Sequence, residues 1–123
     1  MYELCIHERF SSAHQLRGYK GKCENLHGHN WKVEVRVRAE ELNSIGLAMD
    51  FHDLKAMARE IVGSLDHGFL NDKPAFRERN PSSENIAKWI FGEMSEKLKG
   101  EQVRMMSVTV WESDTASATY HED

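Results

Sequence analysis

The sequence predicts an α+β domain in which two helices cover one face of a four-stranded antiparallel sheet. Three observations lead to this prediction. Two segments near the N-terminus alternate apolar and polar residues, two central segments repeat apolar residues every three or four positions, and alternation returns near the C-terminus. The predicted order is therefore ββααββ, and the length of 123 residues with 40% hydrophobic content predicts one domain over residues 1–123.

The first two predicted strands both place histidines on their apolar face. Even positions carry most apolar side chains in residues 2–14, and odd positions do so in residues 27–39. The segment QLRGYKGKCENL between them contains two glycines and several charges, which is typical of a surface loop joining an antiparallel pair. His14, His27 and His29 therefore continue the apolar faces of neighbouring strands.

The two central segments have the spacing of amphipathic helices. In MDFHDLKAMAREIVGSL, Asp50 is the expected N-cap, and one stripe contains Phe51, Leu54, Met57 or Ala58, Ile61 and Leu65. In SSENIAKWIFGEMSEKL, the expected cap is Ser82 or Ser83, and the stripe contains Ile86, Ile90, Met94 and Leu98. The sequence DHGFLNDKPAFRERNP between the two helices predicts irregular structure.

The third predicted strand, VRMMSVTVWE, ends with a carboxylate on its apolar face. Its alternation places Met106, Val108, Val110 and Glu112 on one side, and ASATYH is a short fourth strand. A carboxylate at such a position is costly unless it is paired. Glu112 either accepts bidentately from a ligand with two parallel N–H donors or emerges into solvent at the end of the strand.

Charge and cysteine content exclude several functional classes. The 16 Lys and Arg against 20 Asp and Glu give a net charge of -4, so no general attraction to nucleic acid or to an anionic membrane is expected. No apolar run is long enough to cross a bilayer, and MYELCIHERF lacks the apolar stretch of a signal peptide, so a cytoplasmic protein is expected. The 2 cysteines are too few for a disulfide framework and are expected to be thiols.

The three histidines predict a metal site. His27 and His29 stand two residues apart on a strand and point to the same side, and His14 ends the neighbouring strand on the corresponding face. Three neutral imidazoles leave tetrahedral Zn²⁺ one open position, as in catalytic sites. The alternative is a set of partly buried histidines satisfied by hydrogen bonds, but three on coincident faces favour the metal.

Two further groups are chemically ambiguous. Cys23 is a fourth metal ligand, a thiolate whose pKa is lowered by a nearby cation, or an inert loop cysteine. In LDHGFLN, Asp66 stands next to His67 and could fix the tautomer of its imidazole for proton transfer, although polar residues ending a helix explain the pair equally well. Cys5, on the polar face of the first strand, is expected to have no function.

Six motifs, in order along the chain, resemble those of one enzyme family. They are FSSAH, CENLHGH, MDFHDLK, LDHGFLN, PSSENIAKWI and WESDTASATY, and together they resemble the 6-pyruvoyl-tetrahydropterin synthase / 6-carboxy-tetrahydropterin synthase family. The resemblance implies a tunnelling fold, in which sheets of several subunits join into a barrel with active sites at subunit interfaces. It also implies a homohexamer built as a dimer of trimers.

The resemblance assigns the metal site and the base. It makes His14, His27 and His29 the zinc ligands and Cys23 the thiolate that removes a proton from the substrate. The substrate class that it implies is a small-molecule dihydropterin with a hydroxylated side chain and a triphosphate.

The same resemblance assigns the remaining catalytic and substrate-binding residues. His67, oriented by Asp66 and supplied by a neighbouring subunit, joins a proton relay. Glu112 holds the amino-pyrimidine edge of the pterin and is also counted in the relay. Ser82 and Ser83 stand where the family has hydroxyl residues close to the pterin, although threonine is more usual at the position of Ser82.

The short gap between Cys23 and His27 resembles the branch of the family that serves queuosine biosynthesis. The implied reaction is that of a lyase, in which 7,8-dihydroneopterin triphosphate gives 6-carboxy-5,6,7,8-tetrahydropterin, acetaldehyde and triphosphate. One alternative is a 6-pyruvoyl-tetrahydropterin synthase. Another, from a different class, is a non-catalytic zinc-stabilised oligomeric binding module in which Cys23 closes the metal site.

Overall fold

A five-stranded mixed sheet forms the frame of the protein in the computed structural model, which describes residues 1–21 and 24–122. The elements are β1 (Tyr2–His14), β2 (His27–Ala39), α1 (Phe51–Gly63), β3 (Gly68–Phe69), α2 (Ser83–Lys97), β4 (Arg104–Ser113) and β5 (Ala116–His121). Single 3-10 turns cover Leu70–Asp72 and Pro74–Phe76. The strand order is β3-β1-β2-β4-β5, so the predicted α+β class is confirmed.

The prediction of a purely antiparallel, four-stranded sheet is wrong because β3 adds a short parallel edge. His67 adopts a φ of 52°, which turns the chain so that Gly68 and Phe69 run alongside β1. The His67 N–H donates to the Ser11 carbonyl over 2.6 Å, and the Ser12 hydroxyl donates to the Gly68 carbonyl over 2.7 Å. A strand of two residues is too short to produce a detectable period in the sequence.

The pairing of β1 with β2 places the histidines at one end of the sheet. The two strands pair without interruption from Tyr2 opposite Ala39 to His14 opposite His27. Alternate residues of both strands are buried, as the alternation predicts, and Phe10 stacks on its partner Trp31 with ring centroids 5.6 Å apart. The loop between them is therefore located at the end of the hairpin that carries the histidines.

Both helices pack on the same face of the sheet, where they form one core with the buried strand residues. The predicted caps are confirmed for Asp50, which accepts from the His52 N–H over 2.8 Å, and for Ser82, which accepts from the Asn85 N–H over 3.1 Å. The helical spacing predicts Phe51 on the buried stripe, but its side chain is 52% exposed, whereas Ala48 and Met49, just before the helix, are buried. No helix in the described part of the chain is long and apolar enough to cross a membrane.

One residue of the β4 prediction is wrong because the strand contains a bulge. The pairing register between β2 and β4 shifts between Arg36 and Val37, which inserts an extra residue into β4. As a result Met105, rather than Met106, packs against the core. From Ser107 to Trp111 the pairing with β2 is regular, so the buried face of Val108 and Val110 leads on to Glu112, whose carboxylate meets the histidines.

Candidate metal centre and active site

Three histidines and one glutamate meet where β1 and β4 end and β2 begins. The donor atoms of His14, His27, His29 and Glu112 all lie within 4.8 Å of one another, and the group could hold a metal ion. The Oε1 atom of Glu112 lies 2.8 Å from the Nε2 atom of His29, 3.2 Å from that of His14 and 3.7 Å from that of His27. The predicted convergence of the three histidines is therefore present in one chain.

Backbone carbonyls fix the tautomers of two of the imidazoles. The Nδ1 atom of His14 lies 2.8 Å from the Pro81 carbonyl oxygen, and that of His27 lies 2.9 Å from the Asn25 carbonyl oxygen. A carbonyl only accepts, so each Nδ1 carries the proton and each neutral ring presents a lone pair at Nε2. These two Nε2 atoms are 2.9 Å apart, a distance at which two lone pairs repel unless a proton or cation lies between them.

His29 supplies the third nitrogen. Its Nε2 atom is buried, and its nearest polar contact is Oε1 of Glu112 at 2.8 Å, which does not meet the angular requirements of a regular hydrogen bond. Burial lowers the pKa of His29; the Glu112 carboxylate raises it, and the neighbouring His14 and His27 lower it further. A lowered pKa favours the neutral imidazole, which is the form that binds metals. A buried imidazole nitrogen without a regular hydrogen bond, close to a carboxylate, fits a cation at the centre of the group.

The surroundings of the cluster hold its rings in place. The Trp31 side chain is fully buried, and its Nε1–H donates to the Ser12 carbonyl over 3.1 Å. Its ring meets His14 and His29 edge to face, with centroids 4.9 and 5.2 Å away. Such supporting contacts orient metal ligands before the metal binds.

Glu112 lies closer to the histidines than the sequence predicts. Its carboxylate is 35% exposed and faces the three imidazoles through Oε1, rather than extending freely into solvent. Sequence reasoning assigned Glu112 to substrate binding and to the proton relay, and missed that its oxygen also lies within reach of the position where a metal could bind. The missing information was the pairing of β4 with β2, which places the end of β4 beside His29.

The N-terminus of α2 is connected to the cluster through the backbone. Pro81, whose carbonyl accepts from His14, directly precedes the N-cap Ser82. The Ser82 hydroxyl oxygen accepts from the Asn85 N–H, and Ser83 is the first helical residue. The structure thus gives Ser82 a capping role, while contact of either serine with a pterin stays a prediction.

Asp66 and His67 form the predicted pair but lie apart from the metal cluster. Asp66 accepts from the Ser11 N–H over 2.7 Å, and its other oxygen lies 3.3 Å from the Nε2 atom of His67, whose side chain is 83% exposed. Within residues 1–21 and 24–122, no hydrogen bond, ion pair or ring contact connects this pair to the three histidines. A role in the same active site therefore requires a second subunit and stays a prediction.

Cys23 lies outside the described residues, as does Lys22. The chain is described again from Glu24, whose carboxylate lies 3.8 Å from the Nε2 atom of His27. The three alternatives for Cys23 therefore stay open.

Comparison with known proteins identifies the family. The family model described as 6-pyruvoyl tetrahydropterin synthase matches residues 3–123. The chain belongs to this family, as its motifs predict, and the expectation of an enzyme is confirmed.

Individual relatives agree with the family model. A protein of Archaeoglobus fulgidus, provisionally named 6-carboxy-5,6,7,8-tetrahydropterin synthase, is 43% identical over 103 residues, covering 84% of this chain and 83% of that protein. The 6-carboxy-5,6,7,8-tetrahydropterin synthase of Synechocystis sp. is 39% identical over 117 residues, covering 90% and 86%. The structure of Caenorhabditis elegans 6-pyruvoyl tetrahydropterin synthase matches with a TM-score of 0.86 at 27% identity, covering 99% of this chain and 96% of that one.

Proposed function

We propose that the protein is a zinc-dependent 6-carboxy-5,6,7,8-tetrahydropterin synthase acting in the cytoplasm in queuosine biosynthesis. It converts 7,8-dihydroneopterin triphosphate to 6-carboxy-5,6,7,8-tetrahydropterin and releases acetaldehyde and triphosphate. The observation that carries the proposal is the convergence of three imidazole Nε2 atoms, two of them with their Nδ1–H groups anchored on carbonyls. The names of the relatives at 43% and 39% identity favour the carboxy product.

The proposed zinc ligands are His14, His27 and His29. Imidazole nitrogens suit Zn²⁺, and three of them leave a fourth coordination position open to substrate. When bound, zinc supplies Lewis-acid polarisation of the hydroxyl groups on the substrate side chain. The protein's own contribution is to hold the three rings neutral and oriented.

Glu112 is the proposed anchor for the pterin ring. Its contacts with the histidines all use Oε1, and its 35% exposure leaves the carboxylate accessible to a ligand. A carboxylate can accept from the two parallel N–H groups of an amino-pyrimidine edge, in the same way that it pairs with guanidinium. This contact would orient the substrate side chain toward the metal.

Proton transfer is assigned to Cys23 and to the Asp66–His67 pair. Cys23 as a thiolate removes a proton next to the side-chain hydroxyl, and His67, oriented by Asp66, returns a proton to the ring. The exposure of His67 and its separation from the cluster support a site shared between subunits.

The open depression beside His29, lined by Ser11, Ser12, Gly28 and Asn30 with a volume of about 280 Å³, is likewise not enclosed by the described chain. A homohexamer formed by two trimers is the proposed assembly.

The product identifies the reaction. Zinc-loaded protein is incubated with 7,8-dihydroneopterin triphosphate, and the products are resolved by mass spectrometry beside a Cys23→Ala control. Carboxy-tetrahydropterin and acetaldehyde that disappear in the control are the expected result. A folded, metal-bound oligomer without turnover would contradict the proposal and favour the non-catalytic module.

A 6-pyruvoyl-tetrahydropterin synthase is the second candidate. The matched family model and the structurally similar Caenorhabditis elegans protein both carry that name. In the same experiment this candidate predicts a pyruvoyl product and no acetaldehyde.

A further inference from the structure

A second group of metal-binding side chains lies on the other face of the β1–β2 hairpin. The donor atoms of Cys5, His7 and Glu34 all lie within 4.8 Å of one another. The Nε2 atom of His7 is 3.1 Å from Oε1 of Glu34. None of these residues belongs to the catalytic group described above.

The pairing of the two strands explains why these three side chains meet. Cys5 and His7 are two residues apart on β1 and therefore point to the same side of the sheet. Glu34 is the direct cross-strand partner of His7. Facing side chains of an antiparallel pair are close neighbours, so the group follows from the strand register and does not depend on a loop.

The group is separate from the histidine cluster in both position and direction. His14 follows His7 by seven steps along β1, a distance of about 23 Å along a strand. Because seven is odd, the two side chains also point to opposite faces of the sheet. Binding at one group therefore does not require the other.

The donor chemistry of the group suits a divalent cation, because sulfur, imidazole nitrogen and carboxylate oxygen are all zinc ligands. Burial raises the pKa of the Cys5 thiol, so a bound cation must displace the thiol proton to gain the thiolate ligand. The Glu34 side chain is only 17% exposed, which limits its freedom to move away from His7. Arg36 lies 3.7 Å from the other oxygen of Glu34, Oε2, and offsets part of its charge, while Oε1 faces His7.

We propose that Cys5, His7 and Glu34 form a second binding site for a zinc-class divalent cation, which links β1 to β2. Cys5 contributes Sγ, His7 contributes Nε2 and Glu34 contributes Oε1, and water completes a four-coordinate shell. The site stabilises the hairpin at the end remote from the proposed active site. It also gives Cys5 a role that its position on the polar face of β1 did not predict.

Cobalt spectroscopy tests the site, because Co²⁺ substitutes for Zn²⁺ and a cobalt–thiolate bond absorbs strongly in the near ultraviolet. The chain has 2 cysteines, so the titration with Co²⁺ uses full-length Cys23→Ser protein, in which only Cys5 can supply sulfur. We expect thiolate absorption in this protein and its complete loss in the Cys5→Ser/Cys23→Ser variant. Metal analysis should show one fewer equivalent per chain when Cys5 is replaced.

Two variants that keep the sulfur provide a second measurement. His7→Asn and Glu34→Gln should weaken Co²⁺ binding at this site by at least about tenfold, because even an outer-shell partner contributes that much. The metal at the histidine cluster should be retained in both, so failure here is distinguishable from failure of the proposed function. Absence of thiolate absorption in the Cys23→Ser protein, or unchanged Co²⁺ affinity in both variants, would overturn the proposal.

Discussion

Two groups of side chains that could bind a metal ion lie on opposite faces of one hairpin, and both are built in the same way. Each has two ligands two residues apart on one strand and a third directly opposite on the other. They differ in their surroundings. His14 is 2% exposed and donates to the Pro81 carbonyl, whereas His7 is 50% exposed and its described contact is with Glu34. Strand register can create a metal site, but buried supporting contacts make one rigid enough for catalysis.

The largest expected effect comes from removing a ligand on the rigid face. His27→Ala should reduce zinc affinity by on the order of 100-fold or more and bring synthase activity to background, because the site loses one of its three proposed nitrogen ligands. His27 is 36% exposed, so its replacement should leave the fold intact. Metal analysis and product formation measure the two effects. His52→Ala, on the exposed first turn of α1, is the matched control, and equal loss in both variants would contradict the ligand assignment.

The next largest effect is expected from replacing His67, which tests whether a neighbouring subunit completes the active site at the histidine cluster. His67→Ala should lower kcat by about 10²- to 10⁴-fold, the range for loss of a general acid or base. Mixing unfolded His67→Ala and Cys23→Ala chains and refolding them together should restore about a quarter of the activity at random assembly, since intact sites then form between subunits. Refolded mixtures that stay inactive while wild-type chains recover would rule out a shared site.

Glu112→Gln distinguishes substrate binding from metal binding on the catalytic face. Losing a charge-assisted hydrogen-bonded pair costs about 1.5–3 kcal/mol, so kcat/KM should fall by about 10- to 150-fold. The zinc content should be unchanged, because the proposed ligands are the three histidines. Steady-state kinetics and metal analysis on the same preparation check both statements. Loss of zinc together with activity would instead make Glu112 a metal ligand.

The smallest predicted effect concerns the helix that supports His14. Ser82→Ala removes the N-cap of α2 and should lower the free energy of unfolding by about 1 kcal/mol. Thermal unfolding measures this change, and Ser83→Ala is the matched control because Ser83 does not provide the capping oxygen. Equal unfolding temperatures for the two variants would contradict the capping role. A rise in KM for Ser82→Ala beyond that for Ser83→Ala would add a contact with the pterin.

Much of the fold could be predicted because apolar residues recur at regular spacing along its long strands and helices. The alternation of β1 and β2 located the buried faces, and capping residues located the starts of both helices. The short strand β3 and the bulge in β4 were missed. The first depends on a single turn at His67, and the second on a register shift against β2, neither of which changes the local pattern of apolar residues.

The sequence predicts those parts of the candidate site that depend only on which face of a strand each residue occupies. His14, His27 and His29 could be grouped from their positions on facing strands, and the structure brings them together. The contact of Glu112 with the imidazoles required the order of non-adjacent strands, and the support of His14 by Pro81 required the packing of a distant loop. The group of Cys5, His7 and Glu34 was not predicted, because it depends on the exact register of β1 against β2, which places Glu34 opposite His7.

The central claim is that zinc is held by the three histidines with one position left open. Crystals of zinc-loaded protein measured on both sides of the zinc absorption edge would locate the ion directly. The account predicts an anomalous peak bonded to the Nε2 atoms of His14, His27 and His29, with a non-protein ligand in the fourth position. An ion bonded through Nδ1 atoms, a fourth ligand from Glu112 or Cys23, or no peak at this position would contradict it.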